Sequence, residues 1–105
     1  MAFDAILARA SQSVLIEVMM RSSTTGQPLT GLAVGAVTVQ YQRDGAAAAV
    51  DLGAPAVLAA LGTWETDAWK ETIIPGLYQY GVPNACLLTG ANGVTLVFTG
   101  TGAIT

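Results

Sequence analysis

The chain has 105 residues, four cations, seven carboxylates and no histidine, for a net charge of −3. Arg9, Arg21, Arg43 and Lys70 are its only cations and are scattered, so no basic patch can form against phosphates and no nucleic-acid partner is expected. With Cys86 as the single cysteine, an internal disulfide and a His/Cys zinc site within one chain are excluded, and no cofactor is expected.

The length suits one domain that buries roughly two-thirds of its unfolded surface. Apolar residues make up 52% and charged residues only 10%, against roughly 25% charged in an average domain. The surplus needs cover from a membrane or from protein. Glycine, proline and polar residues interrupt every apolar run well short of the ~20 residues that span a bilayer, which favours a protein partner and no membrane. Met1-Ala2-Phe3-Asp4 carries neither the basic start nor the long apolar core of a secretory signal, so synthesis in the cytoplasm without export is expected.

Phe3, Ile6, Leu7 and Ala10 recur at helical spacing, so residues 1–12 read as an N-terminal arm or short helix ahead of a β-domain over 13–105. A terminal apolar segment needs cover, which makes Phe3, Ile6 and Leu7 candidate partner contacts. From Ser13 to Ser22 the pattern alternates, with Val14, Ile16, Val18 and Met20 on one face. Leu15 and Met19 make the opposite face half apolar, as in a strand contacted on both sides, and join the candidate contacts. Residues 22–31 are rich in Ser, Thr, Gly and Pro and read as a loop.

Val37, Val39 and Tyr41 alternate with polar residues in the cleanest strand signal, and Arg43-Asp44-Gly45 turns it back into a return strand over 46–52. Pro55 near the start and Gly62 past the end of an apolar run predict one short connecting helix over 54–62. Trp64 follows in a polar linker. Residues 69–83 predict a hairpin about Pro75-Gly76, the unit onto which the remaining strands pair. Pro83–Thr89 reads as a bend or helical turn, and Val94, Leu96 and Phe98 mark a last strong strand before a kink at Gly100-Thr101-Gly102. The sum is an all-β chain: an antiparallel sandwich of about six to seven strands with one short connecting helix.

Catalytic equipment is sparse. Glu65, Asp67 and Glu71 are near in sequence but lack the dense oxygen spacing of a calcium loop, and they read as solvated loop charges. No histidine base, Gly-x-Ser-x-Gly elbow, Walker loop or dinucleotide fingerprint occurs, so no enzyme is expected. Trp64, Trp69, Tyr78 and Tyr80 suggest a sugar-stacking platform and hence, as an alternative function, a carbohydrate-binding module for host-surface attachment. Tyr78 and Tyr80 share a face with Val82, however, which predicts a core position. Trp64 is the better exposed contact, to a sugar or to a neighbouring subunit. Cys86 reads as a small buried hydrophobe.

Three segments together carry a family likeness. Ser22-Ser23-Thr24-Thr25-Gly26-Gln27-Pro28-Leu29-Thr30-Gly31-Leu32, then Tyr41-Gln42-Arg43-Asp44-Gly45, then Lys70-Glu71 with Pro75-Gly76-Leu77-Tyr78 through Pro83-Asn84-Ala85, resemble small β-sandwich domains of tailed-phage and prophage structural proteins. The likeness covers residues 13–105 and departs from the family pattern at Ile73-Ile74, where polar residues are more typical, and over 1–12. It implies an immunoglobulin-like module on a virion, as capsid decoration or cement, or as a tail or baseplate accessory. Its expected partners are other virion proteins, and it would be present as a homo-oligomer or in many copies. No catalytic or ligand residues carry over.

Overall fold

The computed structural model describes residues 2–5, 13–87 and 93–104. Among the described residues ten strands occur: β1 (Ala2–Ala5), β2 (Leu15–Met19), β3 (Arg21–Ser22), β4 (Val37–Arg43), β5 (Val50–Gly53), β6 (Ala56–Val57), β7 (Ala68–Glu71), β8 (Leu77–Gly81), β9 (Val94–Gly100) and β10 (Ala103–Ile104). One antiparallel sheet has the order β1-β9-β4-β5. A second has β2-β8-β7 antiparallel, extended by the two-residue β6, which runs parallel to β7. β10 and β3 form a small third pair.

Register explains the core. Val39 lies opposite Phe98 and Tyr41 opposite Leu96 in the first sheet, while Ile16 and Trp69 both lie opposite Tyr80 in the second. Alternation then turns Val37, Val39, Val94, Leu96 and Phe98 from one sheet, and Ile16, Val18, Trp69, Tyr78 and Tyr80 from the other, into a single buried cluster. Rings lock the two layers together. Trp69 stacks on Tyr78 at 4.7 Å and meets Phe98 at 5.6 Å, and Tyr80 meets Phe98 edge-on at 5.1 Å. Such pairs add about 0.5–1.5 kcal/mol each beyond their buried area.

The organising hairpin is present as β7 and β8, with Pro75 and Gly76 in its turn. Residues Asn84–Leu87 form a 3-10 turn within the expected bend, and Cys86 is buried there. Three local expectations need correcting. The short connecting helix over 54–62 is absent, and no α-helix occurs among the described residues. Instead the Ala56 N–H donates to Asp67 O at 2.8 Å and the Leu58 N–H to Trp69 O at 3.1 Å, so the segment joins the edge of β7. A helix this short is marginal on propensity, and the unpaired edge of β7 offers better backbone partners.

Of the N-terminal segment, expected as an arm or a short helix, residues 2–5 are described, and they are extended, not helical. Residues 2–5 are β1, with Phe3 opposite Leu96, and they close the free edge of β9. Ile6 and Leu7 lie outside the described residues. The return strand of the second hairpin begins at Val50, not Ala46. Alanine is a poor strand former, and residues 43–46 are held as a turn by the Ala46 N–H on Arg43 O and by Gln42 Nε2 donating to Ala46 O.

Candidate functional site

The first and third of the motif segments meet at one junction. Glu71, at the end of β7, accepts the Gly31 N–H on Oε1 and the Gly76 N–H on Oε2, both at 2.9 Å. Tyr78 donates its hydroxyl proton to Leu29 O at 2.7 Å and accepts the Leu32 N–H at 3.0 Å. Gly76 has φ of 80° and stands so close to Pro28 that a Cβ there would lie 2.7 Å from the proline Cβ, which leaves glycine as the fitting residue. The 22–32 loop and the β7–β8 turn are thus fastened to each other through two side chains. Burial raises the Tyr78 pKa above the usual tyrosine value, and the nearby Glu71 charge adds to the rise while the hydrogen bond from Leu32 opposes it.

A second assembly covers the outer face of the β2-β8-β7 sheet. Residues 58–67 fold over Gly81, whose Cα faces the Glu65 carbonyl with no room for a side chain. Leu58 and Ala68 are fully buried. Trp64 Nε1 donates to Val82 O at 3.0 Å, the Asp67 N–H to Gly81 O at 2.8 Å, and the Gly62 N–H to Gln79 Oε1 at 2.8 Å. Glu65 Oε1 accepts the Ala59 N–H within the loop. Asp67 accepts the Tyr80 hydroxyl at 2.7 Å. Burial raises the pKa of Asp67, against the lowering effect of that hydrogen bond. It also raises Tyr80 strongly, reinforced by the bond to Asp67 and its charge.

These contacts revise the reading of the acidic cluster. Glu65, Asp67 and Glu71 are half-buried acceptors, Glu65 and Glu71 of backbone N–H groups and Asp67 of the Tyr80 hydroxyl, not solvated loop charges. Among the described residues no group of three or more His, Cys, Asp or Glu side chains converges in a way that could hold a metal ion. Of the candidate contacts, Leu15 and Met19 sit half-buried on β2, at one edge of their sheet and facing away from the core. Trp64 is half-buried and tied to Val82. Trp69 is only 2% exposed and belongs to the core.

The most exposed large apolar side chains lie elsewhere. Ile73 is 93% exposed and Ile74 53%, side by side at the β7–β8 turn, and Val57 is 62% exposed on β6. The signal was legible: two adjacent aliphatics directly before Pro-Gly sit in a turn, where alternation cannot turn either of them toward a core. Beside this turn lies an almost wholly apolar groove of about 260 Å³ between the 31–34 segment and β7, bordered by Leu32, Val34, Val57, Trp69, Glu71 and Tyr78. A groove of mixed character, about 330 Å³, lies at β4 and β9, with Gln40, Gln42, Asp44, Thr95, Tyr41 and Val97 on its walls.

In comparisons with known proteins, no family model matches the chain, and neither a curated protein nor a solved structure matches it.

Proposed function

We propose that this chain is an immunoglobulin-like β-sandwich module that serves as a non-enzymatic structural protein of a tailed-phage particle, acting through contacts with other virion proteins and with further copies of itself. One observation carries most of the weight. Two segments of the phage-like motif, separated by some forty residues, are the ones joined by Glu71 and Tyr78. That the two segments meet in one junction supports reading them as a unit. Surface chemistry adds support: aliphatic side chains are left exposed on the β7–β8 turn and β6.

The test is physical. Particles from a host producing this chain are purified and analysed by mass spectrometry and electron cryo-microscopy. The expected result is a fixed, symmetry-related copy number of the chain on the particle. Purified particles that carry no copy of the chain would overturn the reading.

A further inference from the structure

The groove between the 31–34 segment and β7 has apolar walls, supplied by Leu32, Val34, Val57, Trp69 and Tyr78, and beside them two polar groups that the chain leaves unused. The first is inside. Trp69 is only 2% exposed, yet its Nε1–H is buried with no hydrogen-bond partner among the described residues. Trp64 shows the usual state, with its Nε1 donating to Val82 O at 3.0 Å. Buried N–H groups in folded proteins are nearly always paired, and one left over calls for an explanation. Tyr78, stacked on the Trp69 ring at 4.7 Å, has its hydroxyl committed to Leu29 O and the Leu32 N–H.

The second is a charge. Lys70 lines the same groove, is exposed, and pairs with no carboxylate among the described residues. Its long, flexible stem lies along apolar surface while the ammonium swings free. The carboxylate on the wall, Glu71, has one oxygen on the Gly31 N–H and the other on the Gly76 N–H, which offset its charge. A donor without an acceptor and a cation without an anion both call for an occupant that accepts hydrogen bonds, and the cation calls for a negative one. Size sets the rest. At about 260 Å³ the groove lies just under the ~300–1,000 Å³ of pockets for drug-sized ligands, so the occupant is small.

We infer that this groove binds a small apolar carboxylate: its carboxylate accepts the Trp69 Nε1–H and pairs with the Lys70 ammonium, and its hydrocarbon body lies against Leu32, Val34 and Val57. The indole nitrogen is covered in the empty groove, so binding requires the wall to give way. Gly31 and Leu32 are pinned through their backbone N–H groups to Glu71 and Tyr78. The movement therefore falls to the half-buried Leu32 and Val34 side chains, which can change rotamer without moving that backbone. Part of the binding energy is used in opening the wall, which keeps the affinity modest. The inference goes beyond the structural-protein reading and does not rest on it.

The experiment titrates hexanoate, hexanamide and hexylamine into the whole chain, followed by two-dimensional NMR of the two tryptophan indole N–H signals. Hexanoate should saturate with a Kd on the order of 1 mM, the range open to so small a ligand. The Trp69 indole proton should move downfield and exchange more slowly with water, as a newly hydrogen-bonded group does, while Trp64, already bonded to Val82, stays fixed. Hexanamide, an acceptor without charge, should bind more weakly and shift Trp69 in the same direction. Hexylamine, with a like body and the opposite charge, should not bind. Lys70→Met, at an exposed site, should weaken hexanoate about two- to fivefold and leave hexanamide unchanged, and Lys70→Arg should retain hexanoate binding. Absence of a saturable Trp69 shift, equal binding of hexylamine, a shift at Trp64 in place of Trp69, or hexanoate affinity indifferent to Lys70→Met would each overturn the inference. The chain found on particles but blind to hexanoate would refute this inference alone, and hexanoate bound as described with no chain on particles would refute only the phage reading.

Discussion

Gly81→Ala is the substitution that most directly tests how the 58–67 segment is held. Gly81 ends β8 with an ordinary backbone conformation, so the residue itself does not require glycine. At a compatible site, replacing glycine by alanine normally stabilises a protein by about 0.4–1 kcal/mol, because the unfolded chain loses freedom. Here the added Cβ would overlap the Glu65 carbonyl oxygen and stand 2.9 Å from its carbon and 3.3 Å from the Glu65 nitrogen. These are backbone atoms and cannot rotate away, so the segment must lift.

Lifting it strains the bonds from Trp64 to Val82, Asp67 to Gly81 and Gly62 to Gln79. At about 1 kcal/mol for each bond lost, two or three of them outweigh the entropic gain, for a net loss of about 1–2.5 kcal/mol. For a domain of this size that corresponds to a fall of roughly 5–15 °C in Tm. Urea denaturation followed by tryptophan fluorescence reads the stability, and the Trp64 indole N–H should lose protection from hydrogen exchange. A variant as stable as the wild type, or more so, would refute the tight backbone-on-backbone contact from which the estimate is built.

Glu71→Gln leaves one oxygen for two backbone donors, so either the Gly31 or the Gly76 N–H faces an amide NH2; a loss of about 1.5–3 kcal/mol is expected. An unchanged urea midpoint would show that the clamp contributes nothing. Alkaline stability follows from the sign of the raised acids. Tyr78 and Tyr80 are raised and Cys86 is pushed up to about 11, chiefly by burial, so the folded chain keeps protons that the unfolded chain releases from about pH 9–10 upward. Stability should therefore fall with rising pH in that range, by up to about 1.4 kcal/mol per pH unit for each group held back. A flat profile across it would contradict the burial of these groups. The Cys86 thiol should react with a disulfide reagent only as fast as the protein opens, and rapid labelling of the folded chain would place it at the surface.

Where side chains alternate over five or more residues, the fold was readable in advance. Val37 and Val39 in β4, Val94, Leu96 and Phe98 in β9, and Ile16 and Val18 in β2 all face the core as their period of two requires. The hairpin about Pro75-Gly76 was legible because proline and glycine each constrain φ. Short apolar runs were not. Residues 54–62 satisfy the end signals of a helix, yet the decisive fact is the vacant edge of β7, which depends on strands far away in sequence. The same holds for Phe3, whose backbone partner is Leu96. Glu65, Asp67 and Glu71 were visible as a cluster, but their partners Ala59, Tyr80, Gly31 and Gly76 depend on tertiary geometry that no local spacing encodes.

The residues of the pattern over 22–32 and 70–85 and the residues left exposed divide along a physical line. Pro28, Gly31, Glu71, Gly76 and Tyr78 are spent inside the junction, where each satisfies a backbone group or a close approach. They specify how the loops sit, with Gly76 and Tyr78 buried and Pro28 and Gly31 at the surface. Ile73 and Ile74 interrupt that pattern at the one turn the junction stiffens. Exposing two aliphatic side chains gains nothing for the isolated fold, and such surface promotes unwanted association. The residues around Ile73-Ile74 therefore set the geometry in which the pair is shown, and the pair itself can vary without disturbing the fold. Ile73→Ser checks this: the stability read from urea denaturation should stay within about 0.5 kcal/mol of wild type, as for other surface sites. A large loss of stability would mean that Ile73 is instead part of the fold.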